Sequence, residues 1–167
     1  MGQKAIASAI RRESAKTAAY GRRLRGRRTK EPIIKPIRNQ GGRAKVLDVL
    51  IVDDSAAIRK ILQRVLRQAE IPIGTVYEAG DGLEALEMLK KQTVGLILSD
   101  ISMPNMDGLE FLSKVRAEQA WQSLPIVMVS TEGTHAEVLE AVKRGASGYV
   151  RKPFTAEQIK EKLAGLF

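Results

Sequence analysis

The sequence contains no cysteine. It therefore has no disulfide, no thiolate metal ligand and no cysteine nucleophile, a composition that suits a reducing, cytoplasmic compartment. No apolar stretch approaches the ~18 residues that a membrane-spanning helix needs. A myristoylation signal is also absent, because position 6 is Ile6 where such a signal has Ser or Thr. These absences argue against the disulfide-rich, membrane-spanning and lipid-anchored classes of protein.

Charge divides the 167 residues into two regions. Residues 1–45 contain 14 Lys and Arg against two Glu, a net charge of +12, whereas residues 46–167 contain 14 against 17 acidic residues, a net charge of −3. The first region has few large apolar residues, a basic run over 22–30, and then Pro32, Pro36 and the pair Gly41-Gly42. This composition predicts a disordered basic arm over 1–45, followed by one domain over 46–167.

Several interpretations of the basic arm are open at this point. It could be a solvated extension without function, or it could bind nucleic acid through the backbone phosphates, although Tyr20 is its only aromatic residue. Its Arg, Ala and Ser content also fits a transit peptide. Translation could instead start later, which would need a non-ATG codon near Val46 or Val49, since the next methionine after Met1 is Met88.

Residues 46–167 alternate short apolar runs with segments of helical periodicity. The runs predict strands at Val46–Val52, Ile73–Tyr77, Gly95–Ser99, Ile126–Val129 and Gly148–Val150. The first helix is indicated by one apolar stripe, made of Ile58, Ile61, Leu62, Val65, Leu66 and Ala69. Further helices are predicted at Gly82–Lys91, Gly108–Ala117, Gly133–Arg144 and Thr155–Leu166, with capping-box spacing at Asp81/Glu84 and Thr155/Gln158. The alternation predicts an α/β fold with a doubly wound parallel sheet.

Polar residues follow or end four of these strands. They are Asp53-Asp54, Asp100, Ser130 and Lys152. The carboxyl ends of parallel strands lie along one edge of a sheet, so we expect these side chains to converge. Adjacent carboxylates repel each other unless a cation lies between them, and oxygen ligands of this kind suit Mg²⁺. One aspartate of the pair could merely cap the following helix, but Asp100 adds a third carboxylate and therefore indicates a metal site.

The same residues fit phosphoryl transfer. Asp100 is the best available nucleophile, because a carboxylate can form an acyl phosphate when a metal neutralises the incoming phosphoryl group. Ser130 could donate a hydrogen bond to a phosphoryl oxygen, and Lys152 could balance the charge of the equatorial oxygens. The proline at 153 permits a cis bond that could direct Lys152 inward. Neither Ser130 nor Lys152 alone indicates phosphoryl transfer. Their placement at the ends of neighbouring strands, together with the aspartates, favours it.

Three segments resemble the receiver domain of two-component response regulators. They are LIVDD at 50–54, SDISMPNMDG at 99–108 and GASGYVRKPF at 145–154. The resemblance runs from about Val46 to Phe167 and is greatest to single-domain, chemotaxis-type (CheY-like) regulators. It implies a flavodoxin-like sheet of five parallel strands in the order 2-1-3-4-5 with five helices.

The resemblance also implies a role for each site residue. Asp100 would be the phosphoacceptor that takes a phosphoryl group from a phosphohistidine on a sensor histidine kinase. Asp53, Asp54 and Asp100, with the backbone carbonyl of Ser102, would hold Mg²⁺. Lys152 would be the conserved lysine of the family pattern, and the protein would be a phosphoacceptor rather than an enzyme.

Two residues would form the switch. Ser130 corresponds to the family's switch Thr/Ser, and Tyr149 to the aromatic residue that turns inward on activation. A phosphoryl group would draw the hydroxyl of Ser130 toward Asp100 and vacate space for Tyr149. Ser102 and Glu132 occupy positions that tune spontaneous dephosphorylation in the family, so the lifetime of the aspartyl phosphate is open.

The predicted function is a stand-alone response regulator that signals by phosphorylation-dependent protein binding. The fifth helix ends the chain at Phe167, so we expect output through the helix 4, strand 5 and helix 5 face, to a flagellar motor switch or a phosphotransfer protein. One alternative is a receiver whose residues 1–45 bind nucleic acid. Another is a Mg²⁺-dependent phosphohydrolase with an aspartyl-phosphate intermediate, but such enzymes usually carry a second acid two residues on, where this chain has Ser102.

Overall fold

A computed structural model describes residues 46–166, which form one parallel sheet with helices on both faces. The strands are β1 Leu47–Val52, β2 Ile73–Ala79, β3 Leu96–Ser99, β4 Ile126–Ser130 and β5 Gly148–Arg151. The helices are α1 Ala56–Gln68, α2 Gly82–Lys91, α3 Gly108–Ala117, α4 His135–Lys143 and α5 Ala156–Ala164, with a 3-10 turn at Gln119–Trp121 after α3.

The order of the strands is β2-β1-β3-β4-β5, and every neighbouring pair is parallel. The predicted flavodoxin-like order 2-1-3-4-5 is therefore confirmed. The three inner strands are almost fully buried, which explains why they appear in the sequence as mainly apolar runs, with the half-buried Asp48 as the exception inside β1. The edge strand β2 is more exposed and continues two residues beyond the prediction, because its pairing with β1 extends to Ala79.

Alternate residues of the sheet face two separate cores. On one face, residues such as Leu50, Val52 and Ile97 pack with buried side chains of α2, α3 and α4. On the other face, Val49 and its same-side neighbours pack with buried side chains of α1 and α5. The three inner strands thus have both faces covered by helices, and the polar site lies at the carboxyl ends of the strands.

Helix ends follow their capping residues. Thr134 caps α4 with a complete capping box, so this helix begins at His135 and not at the predicted Gly133. Thr155 forms the predicted box for α5, which ends at Ala164 rather than at Leu166. Asp81 caps α2 as predicted, but the Glu84 carboxylate accepts from the Gly80 N–H (2.7 Å) and the reciprocal half of the box is missing.

Arg116 connects the last turn of α3 to the loops that precede β4 and β5. Its guanidinium donates to the backbone carbonyls of Gly145 (2.9 Å), Trp121 (3.1 Å) and Leu124 (2.8 Å). Trp121, the only tryptophan of the chain, lies in the 3-10 turn before β4 and packs partly buried against the first core. It is therefore at the edge of the sheet where the parallel strands begin.

The predictions for residues 1–45, including the domain boundary after residue 45, lie outside the described residues. Between residues 46 and 166, no helix has both the length and the apolar character required to cross a bilayer.

Candidate functional site

The sheet brings the four predicted strand-end positions to its carboxyl edge. Backbone hydrogen bonds hold them there: the Asp53 N–H donates to the Ala79 carbonyl (3.1 Å), and the Asp100 N–H donates to the Val52 carbonyl (2.8 Å). The Lys152 N–H donates to the carbonyl of Ser130 (2.8 Å) in the same way. The expectation of a common edge is therefore met.

Three carboxylates form the centre of the site. Asp53, Asp54 and Asp100 each place a carboxylate oxygen within 4.8 Å of the others, and Asp54 is exposed whereas the other two are buried. Oxygens bound to one Mg²⁺ at about 2.1 Å lie at most about 4.2 Å apart, so small side-chain movements would satisfy its geometry. The donor set is all oxygen and strongly negative, which fits a hard divalent cation.

Lys152 lies between the two buried carboxylates. Its ammonium donates to Asp53 Oδ2 at 2.7 Å and lies 3.4 Å from Asp100 Oδ2. The Lys152–Pro153 peptide bond is cis. The remaining oxygens accept from backbone: Asp53 Oδ1 from the Ser55 N–H (2.8 Å) and Asp100 Oδ1 from the Ile101 N–H (2.8 Å). One lysine therefore balances three neighbouring acids, and the site retains an excess of negative charge.

Burial has the largest effect on the ionisation of Asp100. Burial raises the pKa of its carboxyl group above the usual range for aspartate, and the charge of Asp53 acts in the same direction. The Lys152 ammonium and the Ile101 N–H lower the pKa but do not cancel the effect of burial. A cation at the site would favour the ionised carboxylate that a nucleophile requires.

Ser130 and Tyr149 meet at the backbone of Glu132. The buried Ser130 Oγ accepts from the Glu132 N–H at 3.2 Å, and the half-buried Tyr149 hydroxyl donates to the Glu132 carbonyl. Ser102 Oγ donates to the Glu132 carboxylate at 2.8 Å. Glu132 is thus bonded to both predicted switch residues and to the loop after β3. Sequence analysis singled out this position but did not predict that connection.

Gly108 is a site residue that sequence analysis did not identify. A Cβ atom at this position would lie 1.9 Å from the backbone oxygen of Asp100, and the Gly108 N–H donates to the Ile101 carbonyl (2.8 Å). Only glycine permits this approach between the start of α3 and the end of β3. The sequence signal is ambiguous, because Gly82 follows the helix cap Asp81 in the same way but faces the side chain of Met106 instead of backbone.

Comparison with known families decides the class of protein. The family model for the response regulator receiver domain matches residues 49–164, which lie within the described part of the chain. The chain belongs to this family. Receiver domains bind Mg²⁺ at an acidic pocket, and the three aspartates form the acidic cluster of this receiver.

Two relatives of this receiver are chemotaxis proteins. It is 39% identical over 123 residues to the chemotaxis protein CheY-3 of Vibrio cholerae, covering 74% of this chain and 93% of the relative. It is 43% identical over 118 residues to a chemotaxis protein CheY homolog of Campylobacter jejuni, covering 70% and 89%. The receiver is therefore CheY-like, and this class of receiver takes part in signalling.

Solved structures agree with this assignment. Chemotaxis response regulator CheY4 of Vibrio cholerae is similar with a TM-score of 0.66 and 35% identity, covering 74% of this chain and all of that one. A CheX-CheY-BeF3-Mg complex from Borrelia burgdorferi contains a chain that is similar with a TM-score of 0.68 and 26% identity, covering 74% and 91%.

Proposed function

We propose that this receiver accepts a phosphoryl group on Asp100 from a sensor histidine kinase and then signals by binding a protein. The observation that carries the proposal is the contact of one lysine with two buried carboxylates, beside a third carboxylate that is exposed. Burying two carboxylates beside a third costs folding free energy, and binding a cation together with an anionic group would offset that cost. The CheY-like relatives support a chemotaxis pathway as its setting.

The proposed reaction is attack by an Asp100 carboxylate oxygen on the phosphorus of a phosphohistidine. The new O–P bond forms as the P–N bond breaks, and the imidazole leaves with the electron pair and takes a proton from water. Asp53, Asp54 and Asp100, with the backbone carbonyl of Ser102, are the proposed Mg²⁺ ligands, and the ion when bound supplies positive charge to the phosphoryl oxygens. Lys152, already 3.4 Å from Asp100 Oδ2, would contribute a second positive charge.

The proposed output begins with Ser130. When its hydroxyl turns to a phosphoryl oxygen on Asp100, its bond with the Glu132 N–H is lost. The Tyr149 hydroxyl bonds to the carbonyl of the same Glu132, so the change reaches β5 through one residue. The neighbouring helix α4 exposes Leu139 (42%) and Val142 (56%), which suit an apolar protein contact. The proposed partner at this α4, β5 and α5 face is a flagellar motor switch or a phosphotransfer protein.

The test is intact-protein mass spectrometry after incubation with acetyl phosphate and Mg²⁺. We expect one labile phosphoryl adduct per chain, which Asp100→Asn lacks and which does not form in EDTA. Asp107→Asn is the matched control, because it makes the same substitution at the exposed cap of α3, where asparagine also caps a helix. An adduct that persists in Asp100→Asn would refute the proposed phosphoacceptor.

The same samples test the phosphohydrolase alternative. Release of inorganic phosphate is measured in parallel, and a phosphoacceptor should yield only a slow release limited by hydrolysis of its own adduct. Rapid release with many turnovers would show an enzyme instead. The position two residues after Asp100, where a phosphohydrolase usually has its second acid, is Ser102, which argues for the slow outcome.

A further inference from the structure

The exposed face of α1 carries an unusual concentration of positive charge. The helix contains four basic residues and no acidic one, whereas the rest of residues 46–167 contains ten basic and 17 acidic residues. Its opposite face, with Leu62, Val65 and Leu66, is buried against the sheet. The positive charge therefore faces solvent on a domain that is otherwise acidic.

Three of these four basic residues have no side-chain partner within residues 46–166. Arg59 pairs with Glu78 at 2.6 Å and donates to the Asp53 carbonyl at 2.7 Å. Lys60, Arg64 and Arg67 are exposed and form no ion pair or hydrogen bond with any side chain between residues 46 and 166. We call these three residues the basic stripe. A structural ion-pair role within the described fold does not account for them.

The spacing of the basic stripe matches a phosphate backbone. Positions 60, 64 and 67 lie on one side of a helix and span about 10.5 Å along its axis. One strand of a duplex presents a phosphate every ~3.4 Å of axis, so about three phosphates fall within the same length. The stripe also lines an open hollow of about 440 Å³, whose other lining residues, Gln63 and Gln68, are uncharged.

The preceding part of the sequence is also strongly basic. Residues 1–45 carry a net charge of +12 and join the described fold at β1. The Leu47 N–H donates to the carbonyl of Pro72 (2.9 Å), in the loop that follows α1, so β1 begins at the same edge of the sheet at which α1 ends. Such a number of cations on one chain suits a long polyanion better than a single acidic protein patch.

We propose that the basic stripe of α1 is a contact surface for the phosphate backbone of double-stranded nucleic acid. This inference goes beyond the signalling function and does not depend on phosphoryl acceptance by Asp100. Arginine suits phosphate because its guanidinium can donate two parallel hydrogen bonds. Contacts of this kind position a protein without reading bases, so the binding should be independent of sequence.

The test is fluorescence anisotropy of a labelled random-sequence duplex with the full chain, over a salt series. Each phosphate contact adds about 0.9 to the slope of log K against log salt. The variant Lys60→Gln/Arg64→Gln/Arg67→Gln should therefore reduce that slope by about 2.7. The charge-matched control Lys91→Gln/Lys114→Gln/Lys143→Gln, on three other helices, should leave it unchanged.

Two further measurements decide the interpretation. The charge-preserving variant Lys60→Arg/Arg64→Lys/Arg67→Lys should keep the slope of the unchanged protein, and circular dichroism verifies that every variant is folded. An equal slope in the stripe variant and the control, or no duplex binding by the full chain, would overturn the proposal. Binding to poly-L-glutamate that depends on the stripe and is tighter than binding to the duplex would also overturn the proposal. That result would indicate an acidic protein partner, which the neighbouring Ile61, 46% exposed, would also suit.

Discussion

Replacing Lys152 with Met should destabilise the receiver by about 3 kcal/mol when no divalent cation is present. The Lys152 ammonium contacts Asp53 at 2.7 Å and Asp100 at 3.4 Å, and its side chain is only 11% exposed. Methionine has a similar length but no charge, so the variant leaves two buried carboxylates without a cation. Breaking a buried pair in this way costs about 3 to 5 kcal/mol, and the exposed Asp54 opens the site to water, which favours the lower value.

Urea unfolding in EDTA near neutral pH measures this loss of unfolding free energy. In thermal unfolding under the same conditions, the melting temperature should fall by about 12 °C. Lys90→Met is the control, because Lys90 and Glu87 form an ion pair with side chains 60% and 58% exposed, and its loss should change stability little. Adding Asp100→Asn to Lys152→Met should restore about 1 kcal/mol by removing one unpaired charge. If Lys152→Met is no less stable than Lys90→Met, the two carboxylates are well hydrated and do not depend on Lys152 for stability.

Three other predictions concern stability. Burial raises the pKa of Asp100, so its ionised form destabilises the fold and Asp100→Asn should be more stable than the unchanged protein near neutral pH. The difference in stability should disappear as the pH falls below the pKa of the Asp100 carboxyl group. Urea unfolding midpoints in EDTA at several pH values test this, and a difference that does not change with pH would contradict it. Gly108→Ala should destabilise the fold by about 3 kcal/mol, because the new Cβ would lie 1.9 Å from the backbone oxygen of Asp100. Gly165→Ala is the control and should cost almost nothing, since the nearest atom to its Cβ would be 3.9 Å away. Equal melting temperatures of the two variants would contradict the close contact at Gly108. Arg116→Met should cost about 2 kcal/mol by removing donors from three carbonyls, and a loss below about 0.5 kcal/mol in urea unfolding would mean that water replaces them.

The location of the site could be predicted from the sequence because it depends on few facts. Strands such as β1 and β3 are covered on both faces, so they appear as apolar runs that only Asp48 of β1 interrupts, and an aspartate directly follows each strand. In a parallel sheet those ends must share one edge, which brought Asp53 and Asp100 together without any knowledge of side-chain positions. The motif resemblance then gave the same residues and the order of the strands.

The pairing within the site could not be predicted in this way. Whether Lys152 bonds more closely to Asp53 or to Asp100 depends on rotamers and on the path of the following loop. The bonds that Glu132 makes to Ser130 and Tyr149 use mainly backbone groups, which leave no mark on residue type. Arg116 had the sequence pattern of a surface residue in the last turn of α3, yet its guanidinium is engaged by three carbonyls.

The position of Trp121 determines what the intrinsic fluorescence of this protein can report. The indole of Trp121 packs against the core near the amino-terminal ends of the strands. The length of β4, five residues, separates that end of the sheet from Ser130 at the carboxyl end. Its spectrum should follow unfolding of the domain and stay constant when an ion or a phosphoryl group arrives at the aspartates. Optical titration of the site therefore needs an added dye, and the absence of cysteine allows one to be attached at any single introduced thiol.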